Sequence, residues 1–282
     1  MTDIWTILKV LTWTRGYLAD KGVENSRLEA EWLLCDALGM DRVGLYVNFD
    51  KPLSDSELAA CRALVARRAR REPLQYILGS QDFYGLDFEV SPGVLIPRHD
   101  TEVLVEEARK RCPAGATILD IGVGSGCIAV ALATSCPGAQ VYGVDLSSKA
   151  LELASRNANR HGVTVKLSHG SLYEPFEGRA FDLIVSNPPY IPTADLAGLQ
   201  PEVRDFEPRE ALDGGVDGLD YYRRIISAAP DFLERDGWLL LEVGVDEASD
   251  VSAIFTATGK FHELFSACDE GGIERVVGGR KK

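Results

Sequence analysis

The 282-residue chain lacks several features that would each have narrowed its function. Its six cysteines, Cys35, Cys61, Cys112, Cys127, Cys136 and Cys268, include no Cys-x-x-Cys pair, and its four histidines do not join them at zinc-ligand spacing. No metal site is therefore expected, and reduced cytosolic thiols are the default. No apolar run approaches membrane-spanning length, and the opening MTDIWTILKVLTW has neither a basic leader nor a small-residue cleavage site. A soluble cytoplasmic protein with no membrane partner is expected. Basic residues are the minority, 30 Lys and Arg against 43 Asp and Glu, for a formal charge of -13. Gripping phosphate backbones needs clustered cations, so nucleic acid is not expected as a direct partner. Internal repeats and low-complexity tracts are absent too.

What is present begins with a helical segment. Ile4, Ile7, Leu8 and Leu11 recur at helical spacing, followed by SRLEAEWLLCDALG and SDSELAACRALVARRARRE. Ser26 with Glu29, and Ser54 with Glu57, have the spacing of capping boxes, while Gly39 and Pro73 supply stops. The cations Arg67, Arg68, Arg70 and Arg71 close the last helix, where they complement its dipole on a solvated face or meet an acidic or RNA partner. Residues 1–73 are read as a small helical domain. Residues 74–98, rich in aromatic and β-branched residues with Gly and Pro, read as a β-hairpin connector. From 99 to 282 helices alternate with apolar strands, which predicts an α/β, Rossmann-like, doubly wound and mostly parallel sheet.

Within that second region, ILDIGVGSGCIAVALA reads as strand, glycine turn and helix. Glycines at 122, 124 and 126 let a ligand approach the backbone and the N–H groups of the helix start, with Val123 and Ser125 between them. The spacing is G-x-G-x-G rather than the G-x-G-x-x-G of dinucleotide sites, and there is no Walker lysine. The next strand ends in Asp145, at the interval of a ribose-binding acid. Together these features fit S-adenosylmethionine better than NAD or ATP. Asp120, just before the first glycine, is placed either to meet the cofactor's ammonium group or to bond N–H groups of its own loop.

The stretch DLIVSNPPYIP takes a buried strand out of the core through Asn187-Pro188-Pro189-Tyr190. Two prolines cannot extend a strand into a sheet interior, so a rigid corner is predicted. It falls at the end of the fourth strand of the sheet, beside the first across the switch point.

These segments, with REPLQYILGSQDFYGLDFEVSPGVLIPR, DTEVLVEEA, EVRDFEPREALDGGVDGLDYYRRI, LLLEVG and ERVVGGR, span almost the whole chain, and the sequence resembles the release-factor glutamine N5-methyltransferases (HemK type), within the class I S-adenosylmethionine-dependent methyltransferases. The resemblance implies methylation of the glutamine in the Gly-Gly-Gln loop of peptide-chain release factors, with the helical domain helping to recognise that protein. It places cofactor contacts on Gly122 to Gly126, Asp145 and Asn187, and the acceptor site on Asn187, Pro188, Pro189 and Tyr190. Ser171 and Leu172 stand where relatives often carry an acid and an aromatic beside the adenine; His99 replaces a frequent Pro and Asp246 a frequent Gln.

A glutamine amide nitrogen is a poor nucleophile, because its lone pair is delocalised into the carbonyl. The Asn187 side-chain oxygen and the Pro188 carbonyl would accept its two N–H bonds, orient it and favour the charge it gains in transfer. Tyr190 either walls off the amide from water or packs in the core. A DNA or RNA adenine N6-methyltransferase would use the same tetrapeptide, but the acidic balance gives it little support. A non-catalytic factor-binding scaffold is the other reading, against which the intact glycine loop and NPPY stand.

Overall fold

The computed structural model describes residues 4–282, so the first three residues of the opening stretch, on which the leader reading partly rests, lie outside the described residues. The chain divides into two compact units. The first comprises residues 4–79 and returns for Pro201–Phe206. It is built of helices Ile7–Asp20, Ser26–Leu38, Arg42–Val47, Asp55–Arg68, Leu74–Leu78 and Pro201–Phe206.

Several expectations for this unit change. The first helix buries Ile7, Val10, Thr14 and Leu18, one stripe at helical spacing, while Ile4 and Leu8 face solvent. Ser54 and Glu57 form the expected reciprocal capping box, but Ser26 and Glu29 do not: the helix is preceded by Asn25, which makes no side-chain cap bond. Glu29 is taken instead by Arg68. Nor do the closing arginines form one solvated face. Arg68 is buried between Glu29 and Glu202, Arg71 grips both carboxylate oxygens of Glu202, and Arg67 pairs with Glu72, so Arg70 alone of the four is left exposed. The stretch after Pro73 opens with the helical turn Leu74–Leu78, closed by Gly79 in the left-handed conformation.

The second unit opens with an antiparallel hairpin, β1 (Ser80–Phe83) and β2 (Leu86–Glu89). Its sheet follows: β3 (Thr117–Ile121), β4 (Gln140–Asp145), β5 (Val165–His169), β6 (Phe181–Ser186), β7 (Leu233–Glu242), β8 (Phe261–Cys268) and β9 (Glu274–Lys281). The spatial order is β5-β4-β3-β6-β7-β9-β8, parallel from β5 to β7 and antiparallel through β9 and β8. This is the expected doubly wound sheet. Successive side chains of a strand point to opposite faces, and the two cores divide accordingly. Ile118, Leu183, Val185 and Leu240 join helices Glu102–Arg111, Cys127–Ser135 and Ser148–Arg160 on one face. Leu119, Ile184, Leu239 and Leu241 join helices Asp220–Phe232 and Ala248–Thr258 on the other. The strand order reverses between β3 and β6, and a crevice opens beyond their carboxyl ends.

Candidate active site

A cavity of about 460 Å³ occupies that crevice, within the span of about 300–1,000 Å³ usual for small-molecule sites. Its floor is the glycine turn after β3. The backbone of Gly122 has φ +74 and that of Gly124 φ +53, a region costly for side-chain-bearing residues, and a Cβ on Gly122 would project into open space. The turn is tied to its neighbour strand, with the N–H groups of Gly122 and Val123 both donating to the Val144 carbonyl, at 2.9 and 3.0 Å.

Asp145, at the end of β4, lies on the cavity wall. Its two carboxylate oxygens accept one main-chain bond each, from Gly124 N at 2.9 Å and Ser147 N at 2.8 Å. A carboxylate has about four acceptor positions, so lone pairs remain for hydroxyls of a ligand.

Opposite the turn, β6 ends at Ser186, whose hydroxyl donates to the Ile121 carbonyl at 2.7 Å and binds the two strand exits together. Asn187, Pro188 and Pro189 follow on the cavity wall. The next residues are clamped by the loop 211–220: Ile191 N donates to Leu212 O, Gly214 N to Ile191 O and Thr193 N to Gly215 O, at 2.8 to 3.0 Å. A Cβ on Gly214 would stand 2.7 Å from Tyr190 Cα, so the approach of this loop requires glycine there. That contact gives the segment ALDGGVDGL its physical role.

The turn, Asp145 and the Asn-Pro-Pro corner therefore face one cavity, with Val123, Ser125 and Leu172 also on its lining. Three other residues singled out from the sequence stand off that lining. Gly126 packs under helix Ser148–Arg160, where a Cβ would meet Ala154 at 3.0 Å. Tyr190 packs against the second core, and burial pushes its hydroxyl up to about 12, so it is neutral. Asp120 is fully buried and accepts a bond from Ala129 N at 3.1 Å, within the first turn of the helix that follows the glycines. Its other oxygen has no partner among the described residues, and burial pushes its pKa up to about 7.

Sequence reasoning overlooked part of the lining. Gly93–Arg98, after the hairpin, forms one wall, and Thr101, Leu146, Glu210, Tyr221 and Ile225 complete others. Arg98 is held by its bond to the buried Glu207 at 2.5 Å and by the Ile96 carbonyl at 2.9 Å. The motif VLIPR already carried the signal for this wall, since a Pro-fixed strap ending in a cation is an unusual way to leave a hairpin. Leu172 has φ +52, an uncommon conformation for a branched residue, and this turns the backbone of Gly170–Leu172 along the cavity. His99 and Asp246 are not part of the lining.

The chain is matched by two family profiles, the PrmC N-terminal domain over residues 9–79 and the methyltransferase small domain over residues 98–197. A protein of Geobacter sulfurreducens named release factor glutamine methyltransferase is 68% identical over 278 residues, covering 99% of this chain and 98% of the relative. The chain belongs to the release factor glutamine methyltransferase family. A solved structure of a release-factor-specific protein-(glutamine-N5) methyltransferase from Alicyclobacillus acidocaldarius is 35% identical, covers 69% of this chain and 99% of that one, and superposes with a TM-score of 0.43. A methyltransferase from Pyrococcus furiosus, 19% identical with a TM-score of 0.55, covers 77% of this chain and 98% of that one; it shares the fold. For a release factor glutamine methyltransferase family member, the cavity between β3 and β6 is the candidate active site. Among the described residues no cluster of His, Cys, Asp or Glu is arranged to hold a metal ion, and no helix is long and apolar enough to cross a membrane.

Proposed function

We propose that the protein methylates the side-chain amide nitrogen of the Gly-Gly-Gln glutamine of peptide-chain release factors in the cytoplasm, with S-adenosylmethionine bound in the cavity. The observation that carries this reading is the convergence of the Gly122–Ser125 turn, Asp145 and the Asn187-Pro188 corner on one cavity. The donor set suits that cofactor. Open space above Gly122 admits a ligand against the backbone, Asp145 keeps lone pairs for ribose hydroxyls, and the apolar walls from Val94, Leu146, Leu172 and Ile225 suit an adenine ring. Bound there, the cofactor supplies an electrophilic methyl group.

The chain's own residues do the rest. Asn187 Oδ1 and the Pro188 carbonyl accept the two N–H bonds of the substrate amide and hold its nitrogen toward the methyl group. Both acceptors also stabilise the positive charge that grows on that nitrogen. No side-chain base is needed, because the methylated nitrogen becomes acidic enough to lose a proton to water. Tyr190 contributes from behind the wall, by fixing the corner.

The helical unit is proposed to recognise the release factor. Every residue of the candidate active site lies in the other unit, and the helical unit exposes Trp5, Trp13, Trp32, Tyr46 and Phe49, the residue types that dominate protein interfaces. The net charge of -13 disfavours nucleic acid as an alternative substrate. Incubation with labelled S-adenosylmethionine and purified release factors, followed by mapping of the modified residue, tests the reading. Label on the Gly-Gly-Gln glutamine is expected; label confined to nucleic acid in a parallel reaction overturns it.

A further inference from the structure

Asn187 presents an amide with two chemically opposite ends to the cavity, and only one of them is useful to a substrate N–H. The end that faces the protein is set by Thr101, a buried residue at the close of the short helix His99–Thr101. Asn187 Nδ2 donates to Thr101 Oγ1 at 3.2 Å. A hydroxyl has one proton to give. Thr101 lies close enough to the carboxylate of Glu242 to favour its charged form by hydrogen bonding. Glu242 is 3% exposed at the end of β7, and its Oε2 has no partner among the described residues.

We propose that Thr101 and Glu242 are positioning residues, which fix the amide of Asn187 with its oxygen toward the acceptor nitrogen. An ionised carboxylate only accepts, so the Thr101 proton goes to Glu242. Toward Asn187 the hydroxyl can then only accept, which selects Nδ2 and leaves Oδ1 for the cavity. If Glu242 is protonated, its O–H can serve Thr101, and the Thr101 proton is released to bond Asn187 Oδ1. The amide then turns its NH₂ to the substrate's N–H, donor against donor.

The surroundings hold Glu242 near this balance. Burial raises its pKa and Asp100 raises it further, while Arg275 and Arg98 oppose them, for a value of about 7. The Tyr190, Tyr222 and Cys127 side chains also feel its charge, and all three are neutral because burial and, to a lesser degree, this carboxylate raise them. The Tyr222 hydroxyl is occupied by the Glu242 main-chain carbonyl, at 2.9 Å.

The inference rests on Asn187 being the acceptor-site residue, and one set of single-turnover measurements separates the two claims. Full-length wild type, Asn187→Ala, Thr101→Val, Thr101→Ser and Glu242→Gln are compared with saturating S-adenosylmethionine and purified release factor from pH 5.5 to 9, with folding checked by thermal unfolding. Thr101→Val should transfer about tenfold more slowly, the loss expected when one oriented hydrogen bond is removed, and Thr101→Ser should return to within about twofold of wild type. Cofactor affinity should stay within about threefold throughout. Wild-type transfer should fall on the acid side through a single group, and that acid limb should be missing in Glu242→Gln. Should Thr101→Val prove unfolded, Thr101→Ala carries the same expectation. Thr101→Val or Thr101→Ala with normal transfer beside an inactive Asn187→Ala overturns the positioning role alone, and a retained acid limb in Glu242→Gln overturns the part of Glu242. An active Asn187→Ala removes the acceptor-site reading, and the inference with it.

Discussion

Asp145 accepts a hydrogen bond from the main-chain N–H of Gly124 at 2.9 Å, joining the end of β4 to the turn that follows β3. One carboxylate thus shapes the turn while its remaining lone pairs face the cavity. Asp145→Ala is expected to weaken S-adenosylmethionine binding by about 1.5–3 kcal/mol, the range for hydrogen bonds to a charged group. Asp145→Asn keeps an acceptor oxygen but can satisfy only one of the two main-chain donors, so its loss should be intermediate. Isothermal calorimetry on the folded variants measures both; unchanged affinity in Asp145→Ala would remove this residue from the cofactor's contacts.

The loop behind the Asn-Pro-Pro corner gives a second expectation. Gly214→Ala places a methyl group 2.7 Å from Tyr190 Cα and 2.6 Å from the Gly218 carbonyl oxygen, and both neighbours are backbone that cannot swing aside. Overpacking of this kind costs about 1–3 kcal/mol. Part of that strain is expected in the corner itself, so methyl transfer should slow more than the change in melting temperature alone accounts for. Gly198→Ala, where a Cβ meets nothing within 4 Å, is the matched control. Equal transfer rates in the two variants would show that the loop does not position the corner.

The helical unit has its own test in Arg68, which is 4% exposed and lies between Glu29 and Glu202. Removing one partner of a buried ion group strands the others, so Arg68→Met should destabilise the unit by about 3–5 kcal/mol, with much of it recovered when Glu29 and Glu202 become Gln. Burial pushes Glu202 up, but bonds from Arg71 and Arg68 outweigh it and hold its pKa below the ordinary carboxylate value. A lowered folded pKa means stability that is fully present above the unfolded value, about 4.3, and is lost as pH falls through the folded one. Urea unfolding of wild type between pH 7 and pH 3 should therefore show a loss in that acid window that Glu202→Gln lacks.

These cases also show where the sequence was readable. The doubly wound sheet was legible because apolar strands alternate with helices, and the glycine turn and Asp145 because their spacing is local. The prolines of the corner marked a strand exit, and β6 does end at Ser186. What the sequence hid is long-range. Glu29 has capping-box spacing after Ser26, but a guanidinium 39 residues away offers it a stronger bond, so the local motif loses. The arginine run looked like a solvated helix end because nothing local shows that Glu202 arrives beside Arg68, 134 residues along the chain. Thr101 and Glu242 were illegible for the same reason: both lie in quoted segments, DTEVLVEEA and LLLEVG, but nothing in either segment shows that Thr101 meets Asn187, 86 residues along the chain.

The last prediction concerns Asn187, which lines the cavity and whose Nδ2 donates to Thr101. If its side-chain oxygen positions the acceptor nitrogen and stabilises charge that appears only during transfer, the loss of that oxygen must show in the rate rather than in ground-state affinity. Asn187→Ala is expected to lower kcat by about 100-fold or more, the cost of removing one preorganised acceptor at a reacting centre, with cofactor affinity changed by less than about threefold. Asn187→Asp keeps an acceptor oxygen but has no N–H to give Thr101, and it sets a negative charge near the cofactor's positive sulfur. Ground-state attraction can then rise while turnover is not restored, because the acceptor must be oriented as well as present. Single-turnover transfer with saturating release factor, measured beside cofactor binding, separates the two effects. Near-normal transfer by folded Asn187→Ala would reduce the Asn-Pro-Pro-Tyr corner to a stiff strand exit.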